Sequence, residues 1–475
     1  MGSGKTQSAI SIAENLMTSN SSGITKTIVI VRGQGLAQNF LNELLYKSTD
    51  GKYIDEGNKK LWKTKYEFWT MEVFGKQLRK FTDNDLIVKY NNKLFIIDEA
   101  HHLKQKLAGV FSQIHRLLHI LPHRKVLLLT GTPMKDDASE LANSANLLLP
   151  LDKQLPQGQE FNNFFFDQNN LVNEDVLIDN LTGFVSFYKG RGPNVEKIYN
   201  GKITEPMKHV PLVLCDMDPF QSKWYSRAFK QDEDGGSVYI NSRQASLFVF
   251  PDGSFGKEGF KKYVKITKKQ SLTGKIKTNY SITPDLERQV LENLGKYSAK
   301  YKKVVDTVTK EDRPKTFIYS EFVHGSGAIL LSQILKCYGY TQASGLETKP
   351  GKRFILATTQ SVSTNITKLI DKFNSPENEY GEIVQIFIGS QIVSEGFSLK
   401  NVRIEFILTP HWNFSEIDQI IARCWRINSH TPDVNKLEIN LLAVDSEDSI
   451  DVYMYKTAEN KDYRIKQVER LLKEI

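Results

Sequence analysis

Short runs of β-branched and aliphatic residues recur along this chain, each followed by a turn or by helix-patterned sequence: Thr27 to Val31, Leu94 to Ile97, Lys125 to Leu129, Thr316 to Tyr319, Ile383 to Ile388, Ile404 to Leu408 and Leu437 to Val444. Runs this short and this continuously apolar suit strands buried on both faces, and their alternation with helical segments is the pattern of parallel sheets. They fall into two groups, residues 1–150 and 290–475, separated by a stretch, 151–289, rich in Asn, Lys and Gly. The expected fold class is α/β: two parallel-sheet lobes with a mixed, partly helical insertion between them. A length of 475 residues agrees, since it exceeds what one hydrophobic core usually supports. Val210 to Cys215 reads as a further strand, and Pro219 to Lys230 and Asp285 to Thr309 carry helical periodicity.

Hydrophobic residues at 40% and charged residues at 25% exclude wholesale disorder. Cys215, Cys337 and Cys424 stand far apart, which argues against a zinc site and for reduced thiols in a cytosol-like compartment. No apolar run approaches a membrane span and no secretory signal pattern is present, so the expected location is cytoplasmic, with no membrane partner. The net charge of +8 points to a polyanionic partner, although many basic proteins bind no nucleic acid.

Met1-Gly2-Ser3-Gly4-Lys5-Thr6 matches the back half of a phosphate-binding loop, and a plausible helix follows to Met17. Backbone N–H groups and the helix N-terminus would face phosphates, Lys5 would meet the β- and γ-phosphates, and the Thr6 hydroxyl would ligate Mg2+. Gly2 and Gly4 permit the close backbone approach such a loop needs, with Ser3 between them. Alone, the hexapeptide would equally suit a flexible leader. The strand that should feed the loop is missing, so the first lobe is expected to lack its first strand. Asp98-Glu99-Ala100-His101 follows an apolar run, which sets two carboxylates at a buried strand end: Asp98 to hold Mg2+ and Glu99 to orient and deprotonate the attacking water. An acidic helix-capping turn is the plain alternative. Thr130-Gly131-Thr132-Pro133 forms a later strand-end turn whose hydroxyls could couple that site to a second surface. Gln419, Arg423 and Arg426 fall at helical spacings of four and three, hence on one face suited to a triphosphate or simply to solvent.

With these blocks in this order the chain resembles the superfamily 2 helicases and translocases over nearly its whole length. Gly2 to Thr6 looks like motif I, Thr27 to Leu44 like Ia, Asp98 to His101 like II, Thr130 to Pro133 like III, Lys315 to Phe322 like IV, Ser394 to Leu399 like V and Gln419 to Arg426 like VI. His411-Trp412-Asn413 and Arg426-Ile427-Asn428-Ser429-His430 resemble the poxvirus-type group, which comprises the early transcription factor small subunit, nucleoside triphosphatase I and relatives in other large cytoplasmic DNA viruses. The resemblance implies two RecA-like lobes and a motor driven by ATP and Mg2+ on nucleic acid, DNA rather than RNA. Transcription-complex subunits become possible partners, and the host cytoplasm or the virion the setting. It makes Arg426 an arginine finger, Arg423 a γ-phosphate partner from the opposite lobe and Gly396 a nucleotide contact, with Arg32, Ser320 and Ser394 on nucleic acid. Asp136 and Asp137 depart from the neutral Asn that such relatives often carry.

Between Lys257 and Lys277 lie Lys261, Lys262, Lys265, Lys268, Lys269 and Lys275, interleaved with Phe260 and Tyr263, a stretch that suits either a phosphate backbone or solvent. Three functions remain open on the sequence. They are a DNA translocase in viral-type transcription, a strand-separating helicase in replication or repair, and a catalytically silent DNA-binding platform.

Overall fold

A computed structural model describes residues 4–54, 61–103, 108–187, 194–235, 238–270, 276–358, 366–390 and 398–475. It divides into two compact units, residues 1–190 with 461–475, and 191–460.

The first unit is built on a parallel sheet of β1 (Lys26–Val31), β2 (Tyr66–Thr70), β3 (Lys93–Asp98) and β4 (Arg124–Leu129), in the order β2-β1-β3-β4. β1 and β3 occupy the centre, and their interior residues are buried on both faces, as their uninterrupted apolar runs require. Helix Lys5–Thr18 buries Ala9, Ile10 and Ala13 against one face, in a core that includes Val29, Val31 and Ile96. Its anchor is Glu14, whose carboxylate accepts from the Tyr66 hydroxyl at 2.6 Å and the Tyr53 hydroxyl at 2.8 Å, and pairs with Lys52 at 2.6 Å. Burial acts to raise the Glu14 pKa, but Lys52 and the two tyrosines outweigh it and hold the carboxyl below its ordinary value. A short hairpin of β5 (Phe166–Asp167) and β6 (Asn170–Leu171), with flanking helices, buries Phe161, Phe165 and Leu177 against Ile465, Val468 and Leu471 of the C-terminal segment.

The second unit carries an eight-stranded, wholly parallel sheet. Its strands are β7 (Glu196–Tyr199), β8 (Val213–Asp216), β11 (Thr316–Tyr319), β12 (Thr341–Gln342), β13 (Arg353–Ala357), β14 (Ile386–Gly389), β15 (Ile404–Ile407) and β16 (Lys436–Asp445). The order is β12-β13-β14-β11-β15-β16-β7. The ten-residue β16 pairs with β7 along residues 436–439 and with β8 along 442–445, so strands from the stretch read as an insertion complete this sheet. Between β8 and β11 lies a separate antiparallel ribbon, β9 (Val264–Gln270) and β10 (Ile276–Ile282). The two parallel sheets match the expected RecA-like pair.

The helical span expected over Asp285 to Thr309 is two helices, Pro284–Tyr297 and Ala299–Val308. Ser298 lies between them in extended conformation (φ −159°) and its hydroxyl accepts from the Tyr301 N–H at 3.0 Å, so a cap has replaced a helical turn.

Candidate nucleotide site

The carboxyl ends of β3 and β4 bring three sequence blocks together. Gly4 adopts a left-handed conformation (φ 74°), which a residue without a Cβ adopts cheaply, and its carbonyl accepts from the Ser8 N–H to open the helix that bears Lys5 and Thr6. The Lys5 ammonium reaches over the β4 end, where it would lie 3.3 Å from a Cβ placed on Gly131. At the end of β3, Glu99 also turns left-handed (φ 52°), a strained choice for a non-glycine residue of the kind concentrated at functional sites. Asp98 and Glu99 are half-buried. Burial raises the pKa of both carboxyls, against the opposing charge of Lys5 on each, and Glu99 also takes a hydrogen bond from the Gly131 N–H. Lys5, Asp98 and Glu99 therefore share one electrostatic neighbourhood.

A polar chain leads away from it. His101, 8% exposed, has its Nδ1 3.3 Å from a Glu99 carboxylate oxygen and 2.9 Å from the Thr130 hydroxyl, which in turn accepts from the Thr132 N–H at 3.1 Å. The His101 and His102 rings lie 4.1 Å apart, and His102 Nε2 stands 3.4 Å from the guanidinium of exposed Arg32. This continuity from Glu99 to Arg32 was not visible in the sequence, which marked His101 as a motif member and passed over His102. Asp137, one of the two departures from the family pattern, accepts from the Ser139 N–H and the Asn162 side chain, which makes it part of a local turn.

In the second unit Gln419 is half-buried in helix Phe414–Ile421, but that helix stops short of the arginines. The expected common helical face is corrected accordingly: Arg423 and Arg426 lie in the turns beyond. Local bonds take over there, with the Arg426 guanidinium donating to the Ala422 carbonyl at 2.9 Å and to the Ser398 hydroxyl at 2.7 Å. The Leu399 N–H donates to the Arg423 carbonyl, so the described end of motif V is tied to motif VI. Arg423 is 2% exposed. Ser320 is buried and its hydroxyl donates to the Phe322 carbonyl at 3.0 Å. Asn413 caps helix Phe414–Ile421 through the Glu416 N–H, and His430 bridges Ser429 and the Val402 carbonyl. Gly2, Ser3, Ser394 and Gly396 lie outside the described residues.

The donors present suit nucleotide and Mg2+: Asp98 and the Thr6 hydroxyl supply hard oxygen ligands, and Lys5 with the helix N-terminus supplies positive charge for phosphates. Among the described residues no group of three metal-ligating side chains and no helix long and apolar enough to cross a membrane occurs.

The chain matches known protein families over most of its length. Residues 1–279 match the SNF2-related domain and residues 299–428 the helicase conserved C-terminal domain. A protein named as a helicase in Invertebrate iridescent virus 3 is 36% identical over 515 residues, covering 100% of this chain and 50% of its own length. One from Frog virus 3 is 36% identical over 501 residues, covering 99% and 50%. The early transcription factor 70 kDa subunit of Melanoplus sanguinipes entomopoxvirus is 24% identical over 481 residues, covering 90% and 64%. The chain thus spans about half the length of the first two relatives. It belongs to the SNF2-related superfamily 2 helicases, in the company of those of large DNA viruses.

Proposed function

We propose that this chain is the motor core of an ATP-hydrolysing, nucleic-acid-dependent translocase that works on DNA in viral-type transcription. The observation that carries the reading is the meeting of Lys5, Asp98 and Glu99 at the carboxyl edge of a parallel sheet, where such sheets hold their ligands. Lys5 and the first N–H groups of its helix neutralise phosphate charge. Asp98 and Thr6 hold Mg2+, which when bound shields the phosphate oxygens. Glu99 orients the attacking water and accepts its proton, and its burial-raised pKa makes it a better base than a solvated carboxylate. His101 fixes Glu99 and, through Thr130 and Thr132, links it to the next turn as the coupling element. Gln419, Arg423 and Arg426 serve turnover, Arg426 as the finger, with Gly396 beside the nucleotide. Arg32 and Ser394 contact nucleic acid. Ser320 shapes its loop instead, because its hydroxyl is already committed.

Transcription is favoured by the relatives named early transcription factor 70 kDa subunit, from the entomopoxvirus and from Monkeypox virus. With it come transcription-complex subunits as partners, and the host cytoplasm or virion as the setting. The relatives named as helicases support the second reading, strand separation.

ATP hydrolysis by the purified chain, with and without DNA, tests the proposal. Stimulated hydrolysis should fall by roughly 10²- to 10⁴-fold in Lys5→Ala and in Glu99→Gln. Activity unchanged by both substitutions rejects the site; no hydrolysis in the unmodified chain leaves a binding platform. Displacement of a strand from a tailed duplex would move the assignment to helicase.

A further inference from the structure

Helix Gly256–Tyr263 of the second unit runs directly into the ribbon of β9 and β10, whose strands pair, among the described residues, with each other alone. From Val264 to Ile282 the sequence holds five lysines and no acidic residue. At the base, Val264 is buried, and the rings of Phe260, Tyr280 and His324 meet at centroid distances between 5.9 and 6.4 Å, which fixes the ribbon to the core. Beyond the base the β9 strand is open to solvent at Lys265, Ile266, Thr267 and Lys268, Ile266 by 51%, while Thr278 and Asn279 of β10 are half-buried.

The pairing register divides the side chains between two faces. Ile266 with Tyr280 and Lys268 with Thr278 share one, while Lys265 with Ser281 and Thr267 with Asn279 share the other. Lys262 is neutralised by Asp252 and Glu258. Lys257, Lys261, Lys265 and Lys268 have no acidic partner among the described residues. Uncompensated charge therefore runs along one helix face, at Lys257 and Lys261, and then continues on both faces of the ribbon.

A narrow ribbon with cations on both faces suits a slot walled by anions on either side rather than a flat surface. The major groove of B-form DNA, about 12 Å wide, admits a two-stranded ribbon between its phosphate walls, while the narrow, deep groove of A-form RNA does not. We propose that the β9–β10 ribbon seats in the major groove of duplex DNA, with Lys261, Lys265 and Lys268 on the flanking phosphates. The proposal rests on reading the chain as a nucleic-acid motor and specifies its substrate as a B-form duplex. Lysine contacts to phosphates carry no sequence information, so this share of the binding is backbone-driven and salt-dependent.

Fluorescence anisotropy of the chain on a blunt, mixed-sequence DNA duplex, titrated across potassium chloride without nucleotide, provides the test. Each lost phosphate contact removes about 0.9 from the slope of log affinity against log salt, so Lys261→Ala/Lys265→Ala/Lys268→Ala should flatten it by about 2 to 3. The matching triple Lys→Arg variant should keep the slope, and each single Lys→Ala should remove about a third of the effect, which separates charge loss from unfolding. A duplex RNA of the same sequence should bind more weakly and be indifferent to the triple alanine change. An unchanged slope on DNA, or an equal loss on both duplexes, overturns the proposal. If DNA still stimulates ATP hydrolysis while the slope is unchanged, the ribbon assignment alone falls; a wild-type chain that binds no nucleic acid removes the motor reading with it.

Discussion

At the carboxyl edge of the smaller sheet Asp98 and Glu99 are half-buried beside Lys5, whereas the second unit draws ionisable groups into its core. Lys300 and Asp451 pair at 2.8 Å with side chains 0% and 1% exposed. Lys315 is wholly buried and donates to the Phe373 and Asn378 carbonyls at 2.7 and 2.9 Å. Glu405, on β15, is equally buried. Charge at a strand end stays close to water and can meet a ligand. Inside the core an ionised group must be satisfied by fixed partners, so that removing one acts on stability, whereas a group without them, as at Glu405, is pushed towards its neutral form. The proposed chemistry therefore rests on ionisable residues at a strand end of one unit, while those inside the core of the other are architectural. The exception in the second unit is the motif VI turn, where Arg426 is held half-buried by Ser398 and the Ala422 carbonyl.

That exception gives the largest expected effect. Arg426→Ala should lower turnover by about 10³-fold or more while ATP affinity changes little, as expected of a finger that acts on the transition state. Steady-state kinetics with nucleotide-binding measurements would separate this from a structural loss; a turnover within a few-fold of wild type would place Arg426 with the architectural charges and break the distinction. Next comes the buried pair. Among the described residues, Asp451→Ala leaves the buried Lys300 ammonium the Leu408 carbonyl at 2.8 Å and the Ser246 hydroxyl at 3.5 Å as its polar partners, at a cost of about 3–5 kcal/mol. The double change Lys300→Met/Asp451→Leu should recover most of that. Urea unfolding of both variants is the measurement, and a single variant as stable as wild type would show that the pair is not what holds this core.

Much of the frame was legible because parallel strands buried on both faces leave an unbroken apolar run: β3 and β11 were found almost to the residue. β2, Tyr66–Thr70, was missed because its half-buried mixture of aromatic and polar residues has no such run. β7, Glu196–Tyr199, begins with two charged residues and pairs with β16, a distant partner that local sequence does not announce. The site divides in the same way. Contiguous motifs such as Asp98-Glu99-Ala100-His101 carry their own signal, while the contact of His102 with Arg32 joins residues that are distant in the chain. Arg423 and Arg426 were expected on a helix because spacing alone cannot register that Ile421 ends it.

The smallest effect concerns pH and tests whether interior charge is architectural at all. Neither carboxyl oxygen of Glu405 has a partner of ordinary hydrogen-bond geometry among the described residues; the side chain lies against the Cys424 thiol, with Lys197 the cation acting on it. Burial raises the Glu405 pKa to about 8, against the lowering influence of Cys424 and Lys197, so the folded protein keeps a proton that the unfolded chain loses near pH 4.5. Its stabilising contribution is therefore full below the unfolded value and is lost as pH rises through about 8. Lys315 works in the opposite direction: burial lowers its pKa to about 7 against the raising influence of Glu382 and Glu379, so between there and the unfolded value near 10.5 the unfolded chain binds the extra proton and stability rises with pH. Glu405→Gln keeps the shape and removes the titration. Thermal unfolding from pH 5.5 to 9 should then lose the falling component and expose the rise from Lys315, while Lys315→Met should steepen the fall. If the two variants change the profile in the same direction, or leave it unchanged, the buried groups do not titrate as their surroundings require, and the contrast between the two sheets reduces to one of position.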